Sequence, residues 1–249
     1  ASALAQAPEQ ARQYGFGDLV EDPDGLLDLP RDFSYHAFSR TGDEMDDGFI
    51  TPGRPDGMGT FPGPNGSTIL LRNHELDPDD GLGPFGPGNE LLPGVDLEKL
   101  YDSGGGSSPA PGGTTTLVYD TAARSLLQSS LSLAGTVRNC AGGATPWNTW
   151  ISCEETADRV GAFGTYERDH GYNFEVPATA TMGLVTPTPL TAMGRFKHEA
   201  VAVDPNSGIV YQTEDRDEGL IYRFIPDSPG VLAAGGRLQA LAVKGTPRG

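Results

Sequence analysis

Short runs of apolar or alternating residues, each bounded by turn-forming residues, follow one another along most of this chain. One run at residues 33–40 predicts an early strand. From residue 114 onward, strands are predicted at residues 114–120, 125–133, 147–153, 172–176, 200–204, 208–213, 220–225 and 238–243. Turn signals such as Asp204-Pro-Asn-Ser-Gly208 separate them, and no helical period is sustained. The pattern therefore predicts an all-β protein.

Three stretches of the chain resemble one another, and in each a turn leads into a short strand that ends in a carboxylate. They span residues 64–75, 146–155 and 205–215. Cys140 and Glu199 each stand six residues before the proline that opens a repeat, so they match. Counting from the same prolines, Glu155 matches Glu214. The repeats therefore predict anionic side chains at equivalent ends of successive sheets.

Grouped by this repeat, the strands form three predicted four-stranded units, at residues 56–133, 139–196 and 198–243. Such units are typical of β-propeller blades, which need neighbours to bury both faces. Three blades do not close a ring, so we predict about half of a six-bladed propeller. We predict N-terminal loops over residues 1–55 and a partial propeller over 56–249, with a long insertion at about 76–113. The alternative is a sandwich or an open stack of sheets.

Composition narrows the choice of partners. The 34 acidic and 17 basic residues give a net charge of −17, which argues against nucleic acid as a partner. No apolar run is long enough to predict a membrane span. The acidic excess fits either a solvated surface or calcium binding. Residues 1–6 resemble the end of an export signal, which predicts a periplasmic or extracellular protein.

Carboxylates gathered at one place repel one another unless cations lie between them, so a multi-metal site is the leading hypothesis. The two cysteines, Cys140 and Cys153, could form a disulfide across adjacent strands. Alternatively, Cys140 is a thiolate ligand, and a thiolate beside oxygen ligands would select a transition metal rather than calcium.

Several motifs together resemble the PhoX-type alkaline phosphatases. They are Asp22-Pro-Asp-Gly-Leu-Leu-Asp-Leu-Pro30, Arg72-Asn-His-Glu75, Asn139-Cys-Ala-Gly-Gly-Ala-Thr-Pro-Trp147, Ser152-Cys-Glu-Glu155, His170-Gly-Tyr172, Lys197-His-Glu-Ala-Val-Ala-Val-Asp204 and Thr213-Glu-Asp-Arg216. The resemblance implies an exported β-propeller phosphatase with an iron and calcium cluster, in which Cys140 matches an iron ligand. It covers the N-terminal half of a typical member, so the missing C-terminal half is a predicted partner.

The repeat and the resemblance together give a set of candidate ligands for Ca²⁺ and Fe³⁺. The set consists of Asn73, Glu75, Cys140, Glu155, Glu199, Glu214 and Asp215. Asn73 and Glu75 are two residues apart and face the same way on a strand, as a calcium-type oxygen pair. Asp215 points away from Glu214 if the strand continues, as a calcium ligand or as a support for other ligands.

Two residues are candidates for catalysis. Arg216 could hold a phosphate through its guanidinium fork, or it could form an ion pair with Asp215 or Asp217. His198 could orient ligands or donate a proton, as could His170. The predicted activity is hydrolysis of small phosphate monoesters. A calcium-dependent propeller lactonase and a non-catalytic propeller fragment are the alternatives.

Overall fold

The computed structural model describes residues 15–244, so the export-signal-like segment at residues 1–6 lies outside the described part. The chain divides into two compact units, one up to Phe38 and one from Ser39 on. In the first unit, strands β1 (Leu19–Val20) and β2 (Leu29–Pro30) pair antiparallel. The predicted strand at residues 33–40 is not formed. The division into domains at residue 55 stays a prediction.

The second unit contains three antiparallel sheets, in each of which the strands lie in chain order. The first sheet contains β3 (Pro55–Pro62), β4 (Thr68–His74), β5 (Gly112–Asp120) and β6 (Ser125–Thr136). The second contains β7 (Asn139–Ala144), β8 (Thr149–Glu154) and β9 (Asn173–Pro177). The third contains β10 (His198–Val203), β11 (Val210–Glu214), β12 (Ile221–Pro226) and β13 (Gly236–Ala240).

The all-β prediction is confirmed, since residues 15–244 contain strands and short 3₁₀ turns but no α-helix. In this described part, no helix is therefore long and apolar enough to cross a membrane. The second sheet has three strands, one fewer than predicted. Its fourth strand is replaced by a segment containing Pro187 and Pro189, and proline cannot donate to a ladder of hydrogen bonds. Only the bridge between Phe174 and Pro189 is formed there.

Apolar side chains fill the spaces between successive sheets. Trp150, Phe174 and Val176 of the second sheet pack against apolar residues of the first, including Phe61 and Leu71. A second core, which lies between the second and third sheets, includes Ile151, Cys153, Val201, Val210 and Phe224. The three sheets are therefore stacked face to face in chain order.

Glycines allow the first strands of the three sheets to approach closely. A Cβ on Gly57 of β3 would lie 2.7 Å from the Cα of Ala141 on β7. A Cβ on Gly143 of β7 would overlap the backbone oxygen of Val201 on β10. The strands β3, β7 and β10 lie side by side. Because they are so close, neither glycine position can hold a larger side chain without movement.

The insertion between β4 and β5 is an ordered covering of the first sheet. It contains 3₁₀ turns at Pro78–Asp80, Leu92–Gly94, Leu97–Lys99 and Gly104–Gly106. Phe85, Leu92 and Leu100 from the insertion are buried against Leu131 and Ala134 of β6. The insertion therefore covers the face of the first sheet that the second sheet does not.

Candidate metal centre

All three sheets contain a β-bulge at the same place in their first strand. In each sheet, two successive paired positions are three residues apart on the first strand but only two residues apart on the second. The paired residues are Pro55–His74 and Met58–Arg72, Asn139–Glu154 and Gly142–Ser152, and His198–Glu214 and Val201–Gln212. A bulge breaks the alternation of a strand and re-aims the side chains at that point.

This common geometry defines two positions that recur in each of the three sheets. Asp56, Cys140 and Glu199 each follow the first paired residue at the bulge, and Glu75, Glu155 and Asp215 each follow the end of the second strand. A matching backbone hydrogen bond holds the second group. The amides of Glu75, Glu155 and Asp215 donate to the carbonyl oxygens of Arg54, Arg138 and Lys197, at 2.9, 2.9 and 3.0 Å.

The prediction that Glu155 matches Glu214 is therefore wrong by one residue. Val203 pairs with Val210 in the third sheet, whereas Ala144 pairs with Trp150 in the second. The hairpin loop is thus one residue longer in the third sheet, and counting from the proline shifts the alignment. The residue equivalent to Glu155 is Asp215.

Three of the predicted ligands meet. Carboxylate oxygens of Glu155, Glu199 and Asp215 all lie within 4.8 Å of one another. Burial raises the pKa of Glu199, and the nearby charges of Glu155, Asp215 and Asp56 raise it further. The cluster therefore carries mutual repulsion that a bound cation would relieve.

Sequence analysis missed Asp56, because the first hairpin is longer and counting six residues back from Pro64 gives Met58. Asp56 occupies the position in the first sheet that Cys140 and Glu199 occupy in the second and third. Its charge contributes to the raised pKa of both Glu75 and Glu199, so it belongs to the same electrostatic group. The irregular Pro55–Gly57 segment lacks an apolar pattern, which is why no strand was predicted there.

Cys140 lies next to the carboxylates as a buried thiol. Both cysteines are unpaired in the described part of the chain, so the disulfide alternative is wrong. The Cys140 sulfur lies 3.3 Å from the carbonyl oxygen of His198 and 3.5 Å from that of Glu199. Burial raises the pKa of Cys140, and Cys153 and Glu199 add to the effect. The thiol is therefore protonated unless a cation stabilises the thiolate.

Glu75 lies on the first-sheet side of the same group. Burial and the adjacent Glu155 raise its pKa, while Arg138 acts in the opposite direction. The guanidinium of Arg138 joins the two carboxylates, since its Nη2 lies 3.3 Å from Glu75 Oε1 and 2.9 Å from Glu155 Oε2. Glu75 is thus placed close to Glu155, as the repeat predicts.

Asn73 uses both ends of its side-chain amide in hydrogen bonds. Its Nδ2 donates to the carbonyl oxygens of Cys140 (3.2 Å) and Ala141 (2.7 Å). Its Oδ1 accepts from Trp150 Nε1 and Ser152 Oγ, both at 2.9 Å. Two donors therefore occupy the amide oxygen, and the amide nitrogen braces the bulge that carries Cys140. A ligand role for Asn73 stays a prediction.

Glu214 and Arg216 are separate from the three-carboxylate group. Glu214 Oε2 accepts from the Tyr222 hydroxyl at 3.0 Å and from the Leu220 amide at 3.2 Å. Arg216 has a side chain 60% exposed, and its Nη1 lies 4.0 Å from Glu214 Oε1. The structure thus brings Asp215 to Glu199, but turns Glu214 towards Tyr222.

His198 is fully buried and stacked on Phe196, with ring centroids 3.7 Å apart. Burial lowers its pKa to about 4, so the imidazole is neutral at pH 7. A neutral ring without solvent access is poorly suited to the predicted role of proton donor.

His170 is buried between two carboxylates. Its Nδ1 lies 2.7 Å from Glu154 Oε1, and its Nε2 lies 3.3 Å from Asp102 Oδ2. Burial alone would lower its pKa, but the two carboxylates outweigh burial and raise it to about 9. His170 therefore holds the insertion against β8, directly beside Glu155.

The donor set fits hard cations together with one thiophilic ion. Asp56, Glu75, Glu155, Glu199 and Asp215 offer carboxylate oxygens, which calcium prefers. A thiol beside such oxygens is typical of a transition-metal ligand rather than a calcium ligand. Because Asp215 is exposed and Glu155 is buried, the group extends from the interior to the surface, which would allow a ligand to enter.

Comparisons with known proteins found one matching family and a similar solved structure. A family model described as alkaline phosphatase PhoX matches residues 14–248. No match was found among curated proteins. A similar solved structure is that of Pseudomonas fluorescens PhoX in complex with vanadate, a transition state analogue, at 18% sequence identity and a TM-score of 0.51. The alignment covers 82% of this chain and 49% of that one.

The structural likeness confirms the predicted fold class, an all-β chain with propeller-like sheets. This chain spans about half the length of the solved relative. The number of blades in a complete propeller stays a prediction.

Proposed function

Since this chain belongs to the alkaline phosphatase PhoX family, we propose that it forms part of a metal-dependent phosphatase that hydrolyses small phosphate monoesters. The observation that carries the proposal is the meeting of Glu155, Glu199 and Asp215, with oxygens within 4.8 Å. Three anionic groups at this distance are costly without cations. Their sequence positions repeat from sheet to sheet, which argues against a chance surface cluster.

We assign the ligands by the chemistry of their donor atoms. Cys140 would hold an iron ion together with Glu199, whose carboxylate lies next to the thiol. Glu75, Glu155 and Asp215 would supply oxygen ligands for calcium, and Asp56 would join them. Glu214 would support the site through its hydrogen bond with Tyr222.

The bound ions would supply Lewis-acid chemistry and neutralise the negative charge of a phosphate ester. The protein's own contribution is placement. The three bulges hold the donor side chains, and Asn73 fixes the backbone carbonyls of Cys140 and Ala141. Arg216, whose side chain is largely exposed, remains a candidate to donate hydrogen bonds to phosphoryl oxygens.

Further groups would complete the site in a longer protein. The chain spans about half of the solved relative, and we propose that the remaining sheets supply additional ligands. Export to the periplasm or outside the cell is part of the same proposal, because calcium is abundant there and the sequence is strongly acidic.

The test is removal and return of the metals. Protein is purified without added metal, its iron and calcium are measured by elemental analysis, and hydrolysis of p-nitrophenyl phosphate is followed before and after chelation. We expect both metals to co-purify and hydrolysis to stop on chelation and recover on reloading. Hydrolysis that persists after complete removal of metal would overturn the proposal.

A further inference from the structure

The guanidinium of Arg138 occupies the side of the carboxylate group where the first and second sheets meet. It lies 2.9 Å from Glu155, 3.3 Å from Glu75 and 3.5 Å from Asp77. Arg138 is also tied to Glu155 through the backbone, because its carbonyl oxygen accepts from the Glu155 amide at 2.9 Å. Two proposed calcium ligands are thus already paired with a cation that belongs to the protein.

Comparison within the chain shows that this pairing is particular to Arg138. Arg54 and Lys197 occupy the equivalent positions in the first and third sheets. Arg54 shares the left-handed backbone of Arg138, with φ of 44° against 47°. Its guanidinium nevertheless turns outward to Asp80 and is 56% exposed. The backbone therefore permits either direction, and of these three described residues only Arg138 forms an ion pair with a proposed ligand.

The surroundings of Arg138 leave its side chain room to move. An open depression of about 390 Å³ lies beside the carboxylate group, and its lining is acidic. Its charged residues are Asp77, Asp79, Asp80, Asp158, Glu155, Arg138 and Lys197. The Nε atom of Arg138 has no hydrogen-bond partner among the described residues, although it is buried. The guanidinium is therefore held through its Nη atoms alone, beside a space that could receive it.

A cation bound by Glu75 and Glu155 would use the same two carboxylates that Arg138 contacts. Two positive groups that share one carboxylate repel each other. An arginine displaced from its carboxylates presents a planar fork of donors that matches two oxygens of a phosphoryl group.

We propose that Arg138 is a displaceable counter-ion: it neutralises Glu75 and Glu155 until a divalent cation binds them, and its released guanidinium then binds a phosphoryl oxygen. This inference rests on the proposed function, because it assumes that these carboxylates bind calcium. It makes calcium binding compete with Arg138, and phosphate binding depend on it.

The first measurement is calcium affinity, by isothermal titration of chelator-treated protein. Removing a competing unit charge in Arg138→Gln should strengthen calcium binding by about tenfold. The matched control is Arg54→Gln, which removes the same charge from the equivalent position without touching the group, and should leave the affinity unchanged. An arginine that only stabilises the fold would instead give weaker calcium binding in Arg138→Gln.

The second measurement is binding of inorganic phosphate at saturating calcium. Arg138→Gln should bind phosphate at least tenfold more weakly, and Arg138→Lys, which keeps the charge but loses the fork, should be intermediate. If Arg138→Gln does not fold, as judged by circular dichroism, Arg138→Lys decides through the same two titrations. Unchanged calcium and phosphate affinities in the folded variants would overturn the inference alone. Wild-type protein that binds no calcium would overturn the proposed function and the inference with it.

Discussion

At the scale of single residues, neighbours in sequence have different surroundings. Asp215 joins Glu155 and Glu199, whereas Glu214, one residue earlier, binds Tyr222. The types of donor atom were predictable from sequence, because acidic residues and a cysteine recur at strand ends. Which residue of the third sheet matches Glu155 was not predictable, because the hairpin loop of that sheet is one residue longer and counting from the proline gives Glu214 instead of Asp215.

The proposed binding of iron depends on one sulfur atom, that of Cys140. We expect Cys140→Ser to lose iron but keep calcium, because a serine hydroxyl is a poor ligand for iron while the carboxylates remain. Elemental analysis of purified protein and the loss of any iron-dependent colour measure the outcome. Cys153→Ser is the control, since that buried thiol lies in the apolar core. Equal iron in wild-type protein and Cys140→Ser would mean that the thiol does not hold the iron, and absence of iron from both would favour a calcium-only site, as in a propeller lactonase.

At the scale of elements, the bulge and the close-packed first strands position the site. Strands and turns were largely predictable, because apolar runs and Gly or Pro signals mark them. The bulges were not, because a bulge depends on how a strand pairs with the next one and leaves no mark in the apolar pattern. The absence of a fourth strand from the second sheet was not predicted either, although Pro187 and Pro189 in that segment account for it.

A substitution at Gly143 tests how far the stability of the protein depends on this close packing. A methyl group there would overlap the Val201 carbonyl oxygen and push β7 away from β10. We expect Gly143→Ala to lower the free energy of unfolding by about 2 kcal/mol or more, and to weaken calcium binding. Urea unfolding and calcium titration measure both effects. Gly94→Ala is the control, because a Cβ at Gly94 meets nothing within 4 Å. A Gly143→Ala protein as stable as this control would show that the sheets can separate without cost.

At the scale of the whole molecule, the stacked sheets and the insertion both contribute side chains to the depression beside the carboxylates. The all-β class and the three-unit organisation followed from the repeat. The buried network that joins the insertion to the second sheet did not, since Asp102, Glu154 and His170 lie far apart in sequence. Long-range polar contacts of this kind leave no periodic signal.

That network predicts a pH-dependent stability. His170 faces Glu154 and Asp102, and it contacts the rings of Tyr101 and Tyr166. Its pKa rises from 6.5 to about 9 on folding, so its stabilising effect is complete below pH 6.5 and is lost as pH rises through about 9.

The variant His170→Gln should lack this dependence. We expect wild-type protein to exceed the variant in free energy of unfolding most at about pH 6, and the difference to shrink by about pH 10. Urea unfolding of both proteins across that range measures it. A difference that stays constant with pH would mean that His170 is not charged in the folded protein.

The recurring bulge has one more consequence. The same backbone pocket carries oxygen donors at Asp56 and Glu199, but sulfur at Cys140. One substitution at Asp56 or Glu199 would therefore place a second soft donor in the group, and one at Cys140 would remove the only soft donor among these three positions, while the other two bulges stay unchanged.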